Sequence, residues 1–161
     1  MDELADKREQ WFNIYKERLD HAVEQLAKEG VSFTCPCCGY PTLSERGAYN
    51  ICPLCDWEDD GQDDPHADEI WGGPNSDYSL SEARTNFKKY LTMYRPNNER
   101  AYEMHLQELP IKRELVSIYD QMLEAQKSYN LKNEFERLRK KAEQLIDKLY
   151  TSEQTAPPDR R

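Results

Sequence analysis

Long apolar runs are missing from this sequence. No stretch approaches the roughly 18 residues needed to cross a bilayer, and the mean hydropathy is −1.02. The first residues, MDELADKREQWF, lack the apolar centre of a secretory signal. A soluble, cytoplasmic protein is therefore expected. Basic residues are nearly absent from the middle of the chain: residues 31–79 hold 10 acids and only one Lys or Arg, Arg46. Phosphate binding needs clustered Lys and Arg, so the composition of that segment argues against a nucleic-acid contact. Also missing are G-x-G-x-x-G, a P-loop, H-E-x-x-H and G-x-S-x-G, which removes the commonest signatures of nucleotide binding, metalloproteolysis and serine hydrolysis.

The net charge over 161 residues is −9. It divides as −3 over residues 1–30, −9 over 31–79 and +3 over 80–161. An acidic centre suits a basic protein partner, or solubility alone. Hydrophobic residues make up 37 % and charged residues 33 %, so the core must be thin and carried by amphipathic elements. Ten Tyr, four Phe and three Trp give more aromatic bulk than a disordered acidic chain has.

Residues 2–29 read as an amphipathic helix with Leu4, Trp11, Tyr15, Leu19, Ala22 and Leu26 recurring at helical spacings. Gly30 is a stop signal. Val31-Ser32-Phe33-Thr34 reads as a short strand, and residues 59–78 as an irregular acidic loop. Ser79-Leu80-Ser81-Glu82 is a capping box opening a helix that runs to about Tyr94 and stops before Pro96. Helix is expected again from 98, with Pro110 kinking it or starting a new one, to about Tyr129. Leu131, Phe135, Leu138, Ala142, Leu145 and Leu149 step by 4, 3, 4, 3, 4, an a/d seam. Packing on the preceding helix is favoured over dimerisation, so a monomer is expected. The expected fold is α+β and mainly helical. Its parts are an N-terminal helix (1–30), a cysteine module with an acidic loop (31–95), a helical hairpin (96–150) and a disordered tail (151–161).

All five cysteines lie between positions 35 and 55. Four form two C-x2-C pairs, Cys35/Cys38 and Cys52/Cys55. Each such turn brings two sulfurs to one side of a tight loop, with Pro36 and Pro53 fixing the backbone and Gly39 free to turn away. Two turns supply four thiolates for one tetrahedral Zn2+, a closed site and hence a structural one. Disulfides belong to secreted chains, iron–sulfur spacings differ, and a redox C-x-x-C belongs in a thioredoxin-like setting. Cys37 lies inside the first turn and reads as a structural residue.

The run Cys35-Pro36-Cys37-Cys38-Gly39-Tyr40, Gly47-Ala48-Tyr49, Ile51-Cys52-Pro53-Leu54-Cys55-Asp56-Trp57, Gly73-Pro74-Asn75 and Ser79-Leu80-Ser81-Glu82-Ala83-Arg84 resembles the bacterial cysteine-rich CPCC family over about residues 33–90. The resemblance implies a zinc-ribbon-like module. It also implies an immunity protein that inhibits a bacterial toxin.

The stretch Asp56–Asp77 carries nine acids and no Lys or Arg. As a calcium loop starting at Asp56 it fails at position 12, which is Ala67. It reads either as a solvated face or as a partner-binding one. In the second case the contact residues are Asp59, Asp60, Asp63, Asp64, Asp68 and Glu69, with Trp71 as the apolar anchor. Trp57 is expected to cover the cysteine hairpin. His21, His66 and His105 are expected as surface or capped residues rather than ligands. The leading function is a non-enzymatic inhibitor of a basic toxin. The alternative is a nucleic-acid-associated zinc ribbon using Arg137, Arg139, Lys140 and Lys141, diluted by Glu134, Glu136 and Glu143. An enzyme using Cys37 with His66 ranks last, because no orienting group or oxyanion site accompanies them.

Overall fold

A computed structural model describes residues 2–21, 33–127 and 132–154, with the backbone alone for 15–21, 132 and 152–154. The described elements run α1 (Glu3–His21), β1 (Phe33–Thr34), β2 (Pro41–Leu43), α2 (Leu80–Tyr90), α3 (Glu99–Gln126) and α4 (Lys132–Gln154). The fold is mainly helical α+β, as expected. Gly30, Val31, Ser32, Leu131 and residues 155–161 lie outside the described residues, so the helix stop, the start of the first strand and most of the tail lie there too. Residues 151–154, assigned to the tail, continue α4. No described helix is long and apolar enough to cross a membrane.

The chain forms two compact units, Met1–Cys52 with Trp57–Arg84, and Pro53–Asp56 with Thr85–Arg161. In the first, β1 and β2 pair antiparallel, Phe33 opposite Leu43 and Thr34 opposite Pro41, with an irregularity between them. The helix α1 turns Leu4, Lys7, Arg8, Trp11 and Ile14 to one side, and Trp11 and Ile14 are buried. Burying one Trp removes roughly 200 Å2 from water, worth about 5 kcal/mol before the entropy of ordering the helix is charged against it. Gly39, at φ +78°, lies so close to α1 that an added Cβ would stand 2.4 Å from Leu4 Cδ1. Two 3-10 turns, Asp64–His66 and Gly73–Asn75, give the acidic loop its local order.

The cap of α2 is the one the sequence signals: Glu82 N–H donates to Ser79 Oγ at 3.1 Å. The helix closes at Tyr90, earlier than Pro96 requires. In the second unit α3 runs unbroken from Glu99 to Gln126 with Pro110 inside it. Proline in a helix interior costs about 3 kcal/mol. Here it lies on the exposed side, where the carbonyl it frees, that of exposed Leu106, can reach water. Buried residues on both sides of it, Glu108 and Lys112 among them, hold one helical face continuous. Antiparallel packing of α4 on α3 follows from the Lys141–Glu114 ion pair at 2.9 Å. Phe135, Leu138, Ala142, Leu145 and Leu149 are all buried, so the seam is satisfied within the chain.

Candidate metal centre

The four paired cysteines come together. The sulfurs of Cys35, Cys38, Cys52 and Cys55 all lie within 4.8 Å of one another, and all four residues are buried. Cys37 is buried as well, at 2 % exposure, but stands outside that cluster. All five are free of disulfides. Sulfurs about 2.3 Å from a tetrahedral ion are separated by about 3.8 Å. The Cys38 and Cys52 sulfurs are 3.8 Å apart. The donor set lies within about 1 Å of that spacing throughout, and these four residues would hold a thiophilic ion as a closed structural site.

Both turns are built alike. Cys35 N–H donates to the Tyr40 carbonyl at 2.9 Å, and Cys52 N–H to the Trp57 carbonyl at 2.9 Å. Each second cysteine is followed by a left-handed residue, Gly39 at φ +78° and Asp56 at φ +70°. Each left-handed residue is followed by a buried aromatic, Tyr40 and Trp57. The second turn is closed further by the Ile51–Glu58 bridge. The Thr42 hydroxyl lies 2.9 Å from the Cys52 sulfur, where it would donate to the thiolate of a metal-loaded site.

The acidic loop differs from its expected exposure. Asp59 is fully buried, and its carboxylate accepts from Arg46 Nε at 2.8 Å and from the Gly47 amide at 2.7 Å. It is structural and presents nothing to a partner. Asp63 accepts from Arg8 at 2.9 and 3.1 Å and from Arg46 at 2.8 Å. Partial burial alone would raise the Asp63 pKa, but the two guanidiniums outweigh it and hold the carboxyl well below the usual carboxylate range. Asp64 is exposed and pairs with Arg84 at 2.6 Å. Asp68 accepts from the Ser81 hydroxyl. Three arginines distant in sequence thus pair with Asp59, Asp63 and Asp64 of a loop that contains none.

Past that hub the loop is open. Ile70 is 62 % exposed and Trp71 46 %. The Trp71 indole N–H donates to Glu69 at 2.8 Å, and the His66 ring lies 5.6 Å from the Trp71 ring. The indole and then His66 hold the Glu69 pKa below its ordinary value. Asp60 is half-buried, accepting from the Gln62 amide at 3.0 Å.

Sequence reasoning missed a second polar cluster. On α3, Ala101, His105, Glu108, Lys112, Leu115, Tyr119 and Met122 share the buried face. Lys112 Nζ donates to Asp56 at 2.8 Å and to His105 Nδ1 at 3.1 Å, and lies 3.5 Å from Glu108. The Thr92 hydroxyl adds a second donor to Asp56 at 2.7 Å. Burial would lower the Lys112 pKa, but Asp56, Glu108 and Cys55 together raise it. Burial and then the Lys112 charge lower His105 to about 4, so its ring is neutral near pH 7. This corrects the expectation of a surface or capped His105. The signal was available, since Lys112, Glu108 and His105 continue the Leu115–Tyr119–Met122 period back through the helix.

The geometry has a counterpart in known sequences. Residues 33–108 match the family model described as Cysteine-rich CPCC. That segment is similar to the cysteine-rich CPCC family. The match spans all four cysteines of the cluster, while α1, the part of α3 beyond Glu108 and α4 lie outside it. No curated protein and no solved structure matches the chain. Three of the four basic residues near the start of α4 are paired: Arg137 with Glu134, Arg139 with Glu136 and Glu143, and Lys141 with Glu114. Such pairing weakens the attraction for phosphate on which a nucleic-acid role rests.

Proposed function

We propose that this chain is a non-enzymatic, zinc-stabilised immunity protein of the cytoplasm, which neutralises a basic bacterial toxin by covering its active site. Zinc is favoured among thiophilic ions because four thiolates in a closed tetrahedron are its commonest structural site. The observation that carries the binding role is the exposed Ile70–Trp71 pair beside Asp64, Asp68 and Glu69. Large aromatics supply most of the energy of protein interfaces. An indole already oriented by Glu69 loses little freedom on docking. Carboxylates around it attract the Lys and Arg with which enzymes acting on phosphate substrates hold them. The partner-facing set is accordingly Asp60, Asp64, Asp68, Glu69 and Trp71, while Asp59 and Asp63 maintain the fold.

The test is co-expression with the protein captured on this chain from its native host. Rescue of growth from that protein's toxicity by the wild type, and loss of rescue with Trp71→Ala, supports the reading. An acidic partner, or rescue undiminished by Trp71→Ala together with Asp64→Asn and Asp68→Asn, defeats it.

A further inference from the structure

We propose that Lys112 is a positioning residue of the metal centre: its ammonium fixes Asp56, and through it the Cys55 end of the second cysteine turn. The inference rests on the zinc reading above and adds to it a residue outside both the cysteine segment and the matched residues 33–108.

The two turns pose the question. At the position after the second cysteine the first uses glycine, at φ +78°, and the second uses aspartate, at φ +70°. Glycine takes that conformation freely, whereas aspartate takes it at a modest cost. The side chain at this position makes contacts that glycine cannot. The Asp56 carboxylate accepts from Lys112 Nζ at 2.8 Å and from Thr92 Oγ1 at 2.7 Å. One residue earlier, the Cys55 carbonyl accepts from the Met93 amide at 2.7 Å. The end of the turn is thus tied from residues 92, 93 and 112.

The charge of Lys112 matters beyond the tie. Its side chain is fully buried, and a buried ammonium persists only when paired. Four thiolates around Zn2+ carry a net charge of −2. An ammonium held on Asp56, the residue that follows Cys55, opposes that charge. Partners that orient a ligand in this way change metal affinity by about 10- to 100-fold when removed.

The experiment measures zinc affinity of the full chain by competition with a chromogenic chelator. It compares the wild type with Lys112→Met, Asp56→Gly and the double variant, and records the Co2+-substituted absorption spectrum of each. Affinity about 10- to 100-fold weaker, with one metal still bound and a shifted cobalt spectrum, is expected in all three. Asp56→Gly discriminates most sharply, because a backbone role alone predicts unchanged or tighter zinc. Where a single variant loses its helical circular dichroism, the double variant decides, since it strands neither ion of the pair. In the wild type, stripping zinc should speed hydrogen exchange of the amides around Glu108–Lys112. Affinity within twofold of wild type in a folded variant, or exchange there that ignores zinc, overturns the tie and leaves the zinc reading intact. A wild-type chain that takes up no zinc overturns both.

Discussion

Arg8 and Asp63, 55 residues apart in the chain, share two hydrogen bonds at 2.9 and 3.1 Å. This bidentate pair joins α1 to the acidic loop, and Arg46 extends it to Asp59. Charge-assisted bonds of this kind contribute about 1.5–3 kcal/mol. Asp63→Asn should therefore destabilise the chain by roughly that amount and speed hydrogen exchange in the α1 segment 4–14. The folded carboxyl titrates lower than the unfolded one, whose ordinary value is 3.8. Its stabilisation is complete above that value and is lost as pH falls below it. Unchanged exchange in α1 would show that the helix is held without this pair.

His105 gives a second pH dependence in a different window. Its pKa is about 4 in the folded protein against an ordinary 6.5, so the unfolded chain binds the extra proton. Stability is then full above about pH 7 and declines as pH falls from 6.5 towards 4. The loss at pH 5 relative to pH 7.5 is about 2 kcal/mol. Urea midpoints at the two pH values measure it. His105→Gln should flatten the difference, and an equal difference in that variant would assign it to other groups.

Gly39 has neither the backbone freedom nor the space to be anything else. Gly39→Ala would place a Cβ at φ +78°, 2.4 Å from Leu4 Cδ1. The left-handed conformation alone costs about 1–2 kcal/mol, and Leu4 must also move. A fall in melting temperature is expected, with zinc content unchanged. Partial recovery is expected when Leu4→Ala is added, which relieves the clash and leaves the strain.

The cysteines separate by role. Cys38→Ser and Cys52→Ser should each abolish tight zinc binding and expose residues 33–58 to proteolysis, because a structural site supplies folding free energy directly. Cys37→Ser should keep one zinc per chain by native mass spectrometry. Zinc lost from the Cys37 variant and retained by the Cys38 one would reverse the ligand assignment.

What the sequence reveals and what it hides follow one distinction. The cysteine pairs, the Ser79 cap and the Leu138–Leu149 seam are legible because the residues involved are near neighbours or share one period. The pairing of Asp59, Asp63 and Asp64 is not, because Arg8, Arg46 and Arg84 reach the loop from 55, 17 and 20 residues away. A count of charge along the chain sees nine acids without a base where the folded protein has three guanidiniums. The polar seam of α3 escaped for another reason. A search for apolar periodicity stops at Leu115, although His105, Glu108 and Lys112 keep the phase. Pro110 misled in the opposite direction, since a proline on the exposed side of a helix leaves the buried face unbroken.

The Asp56–Lys112 pair also imposes an order of events during synthesis. Its members are 56 residues apart, which at about 5–20 residues per second is roughly 3–11 s of translation. Through that interval all five thiols already exist, while the ammonium that will neutralise Asp56 has not been made. An aspartate without its counter-charge stays in water, so the end of the second cysteine turn remains open to solvent until α3 emerges. Newly made chains therefore pass through a period of several seconds in which their thiols are accessible to metal and to oxidant alike.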